Sequence, residues 1–410
     1  MDDIRFYEEL LGLKTPWKVD KVDLNLKGQR VEIWAVHAEG ARWPCPDCGE
    51  RLPVYDHTPE RLWRHLDTCQ CQTVLHARLP RVQCPTHGVV QVRPSWAEPQ
   101  SHFTLLFERF AIEVLKECDV TGACRILHLS WDEAWHLMDR AVIRGRARKQ
   151  ATAPTRLGVD EKAIAKGHKY LTLVCDVDAG TVEYIGDDRK QESLTAYYAT
   201  LSETQKTAIE AIAMDMWEPY VQATLAQIPD AAKKIVFDRF HIMQHLGKAV
   251  DAVRKHEHRT LLKAGDETLK GSKYLWLYSR ENLPETRRTE FAALRHQDLK
   301  VARAWAIKEH LRRLWNFVSE GWARRFWRAW HWWATHSRLA PIREVAALVK
   351  RHLANILTYC THRITNAVAE GLNGKIQTIK KMAYGFRNPE HFKIAIYFHC
   401  GGLDLYPALP

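Results

Sequence analysis

Residues 156–245 constrain the fold more than any other part of the chain. The stretch RLGVDEKAIAKGHKYLTLVCDVDAGTV (156–182) reads as hydrophobic strands joined by a turn, and the first strand ends on the adjacent acids Asp160 and Glu161. YLTLVCDV and TVEYIGDD pair around Ala179-Gly180, and ESLTAYYATL follows as a helix. IEAIAMDM is a fourth strand whose end carries Asp215, WEPYVQATLAQI a second helix, and KKIVFDRF a fifth, central strand that ends near Asp238. Apolar runs bounded by turn residues mark the strands, and longer periodic stretches mark the helices. Three meandering strands followed by helix–strand–helix–strand leave few topologies open.

That order is the layout of a ribonuclease H-like core, in which the first and fourth strands are neighbours. Asp160 and Asp215 would then meet at one end of the sheet. Two close carboxylates cannot both stay ionised cheaply, and hard divalent cations such as Mg²⁺ or Mn²⁺ resolve the conflict. Two such ions about 4 Å apart can clamp the attacking and leaving oxygens of a phosphoryl transfer. A third acid comes from a late helix, roughly 365–383. There Asn366, Glu370, Asn373, Gln377 and Lys381 form one polar stripe at helical spacing, with Ala367, Leu372, Ile376 and Ile379 off it. Glu161, Asp176 and Asp178 are the rival carboxylates, the last two on a hairpin expected to face away.

The rest of the composition is basic. Sixty Lys and Arg stand against 49 Asp and Glu, a formal charge of +11, which is the footprint of a phosphate-backbone binder. At 410 residues the chain is long enough for two to four domains. It holds no apolar run of membrane-spanning length, and its first residues lack a secretion-signal layout. A soluble cytoplasmic protein with no membrane partner is expected, nucleoid-associated in a bacterium. Cys118, Cys124, Cys175, Cys360 and Cys400 lie in apolar surroundings and read as small core residues.

WPCPDCG and VQCPTHG place Cys45, Cys48, Cys84 and His87 as two knuckles, each with its ligands two residues apart in a tight turn. Together they make a closed, structural Zn²⁺ site. Cys69 and Cys71 are spare, and an alternating strand would point both to one side. Further on, TGACRILHL and SWDEAWHLMDRAVIRGRAR form a helix-turn-helix, with Ser130 and Glu133 as a capping box. Ala134, Leu137 and Ala141 would pack inward. Trp131, His136, Arg140, Arg144, Arg146 and Arg148 would face DNA.

From about 246 to 350 the chain is helical, basic and rich in Trp. Trp315, Trp322, Phe326, Trp330 and Trp333 fall on one expected core face, while Trp327, Arg324 and Arg328 point elsewhere, toward DNA. Lys381 ends the late polar stripe as another candidate DNA contact.

GVDEKA, AMDMWEPY, FDRFH and TNAVAEGLNGKIQTIKKMAYGFRN resemble, in order and over nearly the whole chain, the motifs of insertion-sequence transposases of the ISL-three family. The resemblance implies a DDE enzyme with Asp160, Asp215 and Glu370 as its triad and two Mg²⁺ (or Mn²⁺) ions. Asp238 and His241 match a further signature of such families and would support the site, with Asn366 and Asn373 beside Glu370. It also implies a multidomain α+β chain: a zinc-binding segment (1–97), a helix-turn-helix (98–150), a catalytic core in two parts (156–245 and 351–410), and an all-helical insertion between them (246–350). The implied partners are double-stranded DNA, as element ends and target, and at least one further copy of the chain. A transposase-derived, non-catalytic DNA-binding regulator is the alternative, and the three intact acids weigh against it.

Overall fold

The computed structural model describes residues 3–149, 154–165 and 169–409. It divides into two compact units, 1–150 with 379–410 and 151–378.

The first unit opens with helix α1 (Asp3–Leu10) and strands β1 (Trp17–Asn25), β2 (Arg30–His37), β3 (Arg42–Pro44), β4 (Arg51–His57), β5 (Arg61–Thr68), β6 (Cys71–Ala77), β7 (Pro80–Cys84) and β8 (Gly88–Gln91). They form two four-stranded sheets, ordered β1-β2-β6-β5 and β3-β4-β7-β8. Alternation sets which side is buried: Val31, Ile33 and Ala35 on β2 face a core that includes Trp17, Trp43, Trp63 and Trp96. Cys69 and Gln70 do not belong to a strand. Both have positive φ, 50° and 67°, and they turn the chain between β5 and β6, so Cys69 is an exposed turn residue and Cys71 is buried.

Helices α2 (Leu105–Glu117), α3 (Val120–Leu127) and α4 (Trp131–Arg148) follow. Thr104 and Asp119 cap the first two, and Ser130 with Glu133 closes the capping box on α4. His128, at φ 53°, ends α3 in the left-handed region and makes the turn. Cys118 and Cys124 in these helices are half-buried rather than core.

The second unit holds β9 (Arg156–Ala165), β10 (Lys169–Asp176), β11 (Thr181–Gly186), helices α5 (Gln191–Ala199) and α6 (Glu203–Ala208), β12 (Ala211–Met214), helices α7 (Glu218–Gln227) and α8 (Ala231–Lys234), and β13 (Ile235–Phe237). The strand order is β11-β10-β9-β12-β13, with β10 antiparallel to its neighbours and β12 parallel to both of its own. Two strand expectations change. β9 does not stop at Asp160, because β10 pairs with it as far as the Lys169–Ala165 match and keeps it extended. β13 is an edge strand rather than a central one, and the side chains of Asn355 and Thr358 bond the carbonyl of Ile235 at 3.3 and 2.7 Å.

The chain then runs into α9 (Arg239–Lys263), α10 (Lys273–Leu277), α11 (Arg288–Arg295), α12 (Lys300–Leu311), α13 (Glu320–His336), α14 (Ala340–Arg351), α15 (Leu353–Leu357), α16 (Tyr359–His362) and α17 (Ala367–Met382), and α18 (Pro389–Cys400) returns it to the first unit. α9 passes 245–246 without a break. Its Ile242 and Leu246 share one hydrophobic cluster with Leu157 and Val159 of the sheet and with Trp276, Trp305 and Trp330 of the later helices. The helical stretch therefore has no core of its own. Of the expected core face, Trp315 and Trp330 are buried and Phe326 and Trp333 pack against the same cluster, while Trp322 does not join it. Trp315 lies in a 3₁₀ turn, Arg312–Asn316, before α13 begins, and the packed side of α13 runs through Ala323, Trp330 and Ala334. Trp322 is left 61% exposed, whereas Trp327 packs against the core.

Candidate active site, metal ligands and DNA-binding helices

Parallel pairing sets the level of the acids. Met214 of β12 matches Val159 of β9 on one side and Phe237 of β13 on the other. The next residue on each strand is an acid, so Asp160, Asp215 and Asp238 stand in a row across three adjacent strands. Glu370 lies one turn into α17. The first residue of that motif, Asn366, is fully buried before the helix starts, and its amide donates to the Val159 carbonyl at 3.4 Å. Gly158 makes the approach possible: a Cβ there would sit 3.0 Å from Asn366 Oδ1.

Several contacts fix these carboxylates. Asp160 accepts from the Glu161 N–H at 2.8 Å and from Asn373 Nδ2 at 2.7 Å. The backbone N–H groups of Phe240 and Asn366 favour the charged form of Asp238, and the Asn366 side chain ties the start of α17 to β9. Asp215 accepts from the Met216 N–H at 2.6 Å and faces His241 Nδ1 at 3.5 Å. Burial raises the Asp160 carboxyl above the ordinary carboxylate range, against the pull of the Glu161 N–H, the His241 ring and Asn373. Burial likewise raises Asp238. Glu370 is raised by burial and then by the charges of Asp238 and Asp160, so the acids sense one another. Asp238 Oδ2, Asn366 Oδ1 and Asn373 Oδ1 are buried without a hydrogen-bond partner. Unpartnered buried oxygens among mutually repelling carboxylates are the donor chemistry of a hard cation, and the residues fit Mg²⁺ or Mn²⁺ on that ground.

Of the rival carboxylates, Asp176 matches Leu157 at the opposite end of β9 and caps its own turn, and Asp178 pairs with Arg156. Glu161 pairs with Arg189 at 3.4 Å.

The two knuckles occupy the tips of the β3–β4 and β7–β8 hairpins. Cys48 Sγ lies 3.6 Å from Cys84 Sγ, and His87 Nδ1 lies 3.7 and 3.4 Å from the sulfurs of Cys45 and Cys84. Tetrahedral zinc with Zn–S near 2.3 Å and Zn–N near 2.0 Å requires ligand separations of about 3.5–3.8 Å, so the donor set fits Zn²⁺. Among the described residues, this is the group of His, Cys, Asp and Glu ligand atoms found within 4.8 Å of one another. The acids of the second unit are not gathered that tightly.

Comparison with known proteins matches three parts of the chain. Residues 157–396 match a transposase domain of the ISL3 DDE type, residues 41–87 the zinc-finger of transposase IS204/IS1001/IS1096/IS1165, and residues 92–142 the helix-turn-helix domain of transposase family ISL3. The chain belongs to the ISL3 transposase family. It is 29% identical to the transposase for insertion sequence element IS1001 of Bordetella parapertussis, over 86% of this chain and 87% of that one. It is 25% identical to the transposase for insertion sequence element IS1557 of Mycobacterium tuberculosis, over 95% and 94%.

In this transposase the helix-turn-helix does not present all the expected basic residues. Arg144 is 8% exposed and pairs with Glu98 and Glu108, at 2.8 Å to Glu108. Arg140 also pairs with Glu108, itself buried. Charges neutralised inside the fold do not reach DNA, so both arginines are structural, contrary to the expectation. Arg148 pairs with Asp404 at 3.0 Å, and Arg146 lies 4.6 Å over the Tyr397 ring. α4 is that close to the C-terminal segment because Gly145 has no side chain: a Cβ there would meet Leu403 Cβ at 2.7 Å. Trp131 and His136 are exposed on α4, as are Arg328 on α13 and Lys381 near the end of α17, while Arg324 pairs with Glu320 at 2.5 Å.

Sequence reading missed Arg189. Its guanidinium sits 4.2 Å over the Tyr170 ring and 4.8 Å over Trp217, two residues after Asp215. Trp217 in AMDMWEPY was the available signal, as an exposed aromatic beside a candidate catalytic acid.

Proposed function

We propose that this transposase cuts DNA at the inverted ends of an insertion sequence and joins the resulting 3′-hydroxyls to target DNA, with Asp160, Asp215 and Glu370 as the ligands of two divalent cations. The core is ribonuclease H-like, and the helices from α9 to α14 are an insertion into it. The strand order supports that reading, and the register of Asp160 with Asp215, together with the effect of the Asp160 charge on Glu370, supports the assignment of the triad.

Asp160 and Asp215 would hold Mg²⁺ or Mn²⁺ from the sheet, and Glu370 from the helix. Bound there, such ions supply charge stabilisation to the attacking and leaving oxygens. The chain's own part is positional. Asn373 holds the Asp160 carboxylate, and the Asn366 side chain anchors the start of α17 on the Val159 carbonyl of β9. His241 faces Asp215 at the opening of α9 and is placed to bond a phosphate oxygen. Water attacks the phosphodiester at the element end and the P–O3′ bond breaks, leaving a 3′-hydroxyl. That hydroxyl attacks a target phosphodiester, a new P–O bond forms, and the target strand's own 3′-oxygen departs with a proton.

Reading of the ends falls to the N-terminal half of α4, with Trp131 and His136 toward the major groove. Arg324, Arg328 and Lys381 add backbone contacts, a structural Zn²⁺ holds the hairpins, and joining two ends to one target requires at least a dimer. The test is Mg²⁺-dependent cleavage and joining of a DNA fragment carrying the flanking ends, with wild type beside Glu370→Gln. Wild type should cut and join while the variant only binds. Equal cutting by both removes Glu370 from the site, and binding without cutting by either, in Mg²⁺ and Mn²⁺, removes the catalytic reading.

A further inference from the structure

A second polar cleft lies in the same unit, starting one residue from the row of acids. Arg239 opens α9 directly after Asp238. Facing it are Arg280 and Glu281 beyond α10, Glu309 near the end of α12, and Arg312 and Arg313 in the following 3₁₀ turn, around a cavity of about 510 Å³. Its charges do not balance. Both carboxylates are already engaged: Glu281 by Arg312 at 2.7 Å, and Glu309 by Lys308 at 3.5 Å and Arg312 at 3.9 Å. Among the described residues, the guanidiniums of Arg239, Arg280 and Arg313 have no carboxylate partner, and Arg280 meets Glu309 only through its backbone N–H, at 3.1 Å. Arg239 rests instead on the Trp315 ring at 5.6 Å, a contact that holds a guanidinium in place without neutralising it. The local field is also felt next door, where burial and then the Arg313 charge lower the pKa of His310.

Unneutralised guanidiniums around an open polar cavity suit phosphate, which matches the planar arginine fork and gains most from several forks at once. The spacing along the chain matters too: Asp238, in the row of acids, and Arg239, in the cleft lining, are consecutive residues.

We infer that this cleft binds the sugar-phosphate backbone of the DNA strand next to the one being cut, with Arg280 and Arg313 as direct phosphate contacts. The inference rests on the transposase reading but needs no catalysis. It is tested with the full chain in EDTA, by fluorescence anisotropy of a labelled duplex of arbitrary sequence over a series of KCl concentrations. Each duplex phosphate contact contributes about 0.9 to the slope of log K against log salt. Arg280→Ala with Arg313→Ala should make that slope shallower by roughly 1.8 and weaken binding roughly 30-fold at about 0.15 M KCl. Both residues are exposed, so the fold should survive, and Arg280→Lys with Arg313→Lys should restore the slope. Lys255→Ala, which removes an exposed charge paired with Asp251 at 3.0 Å, should leave the slope unchanged. An unchanged slope in the double alanine variant, or an equal loss in Lys255→Ala, overturns the inference. Because Glu370→Gln should bind with the wild-type slope, failure of the cleavage reading and failure of the cleft give different results.

Discussion

The zinc knuckles and the row of acids, proposed above as a cation site, both gather side chains of types that ligate metals, yet the fold treats them in opposite ways. The knuckles are closed. Two hairpin tips bring Cys45, Cys48, Cys84 and His87 within 4.8 Å of one another, and four protein ligands fill a tetrahedron and leave no position open. The acids are set on separate elements, Asp160 within β9, Asp215 and Asp238 just past the ends of β12 and β13, and Glu370 on α17, with oxygens of Asp238, Asn366 and Asn373 left unpartnered. Structural metal sites gather their ligands on short turns. A site that must admit a substrate oxygen keeps its ligands on distinct elements and tolerates repulsion among them.

The largest effect should come from opening the closed site. In zinc-finger peptides, structural zinc contributes about 10–16 kcal/mol of apparent binding energy at neutral pH. Cys84→Ser should therefore lose bound zinc and leave the β3–β8 hairpins open to limited proteolysis, while the second unit stays folded. Zinc retained by this variant, measured by metal analysis, would break the comparison. Next in size is the open site. Asp215→Asn should slow end cleavage on the order of 10²–10³-fold or more, as removal of one electrostatic stabiliser does elsewhere, with zinc content and end binding unaltered. A fall in zinc content would mean the two sites are not independent.

The knuckles and the level of the acids could be read from local sequence, for different reasons. Cys-x-x-Cys and Cys-x-x-His are turns that carry their own geometry. The acids at 160, 215 and 238 each follow a short apolar run, and parallel pairing in register needs only those runs to be found. What could not be read depended on distant partners. Arg144 looked like part of a basic tail, and its neutralising acids Glu98 and Glu108 lie 46 and 36 residues away. β9 runs past Asp160 because of β10, not because of its own residues. The core shared by the sheet and the Trp-rich helices gave no local sign, since an apolar helix face looks the same whichever core it joins.

A smaller effect sharpens the comparison at the helix that carries Glu370. Gly158→Ala puts a Cβ 3.0 Å from Asn366 Oδ1. Overpacking of this kind costs about 1–3 kcal/mol, and a displaced catalytic group can cost on the order of 10²-fold in rate. End cleavage should fall by up to that factor with DNA affinity unchanged. A variant as fast as wild type would mean that the approach of Asn366 to β9 does not position Glu370.

The smallest effect has the opposite sign. If the open site stores repulsion, removing one charge without metal should stabilise the protein. Asp160→Asn keeps the shape, and its oxygen still accepts from the Glu161 N–H. Its new amide faces Asn373, whose unpartnered Oδ1 becomes an acceptor when that side chain flips. In EDTA the variant should unfold at higher denaturant, by about 0.5–2 kcal/mol, the range of single stabilising changes at functional sites. The pH dependence follows from the raised carboxyls of Asp160, Asp238 and Glu370. Native carboxyls with raised pKa take up protons before unfolded ones, so metal-free wild type should gain stability as pH falls through their native range toward the ordinary carboxylate value. Asp160→Asn should show less of that gain, and Mg²⁺ should erase its advantage at neutral pH. A variant less stable than wild type in EDTA would mean that the Asp160 carboxylate is held by its hydrogen bonds more than it is repelled, and the contrast with the closed site would narrow to ligand count alone.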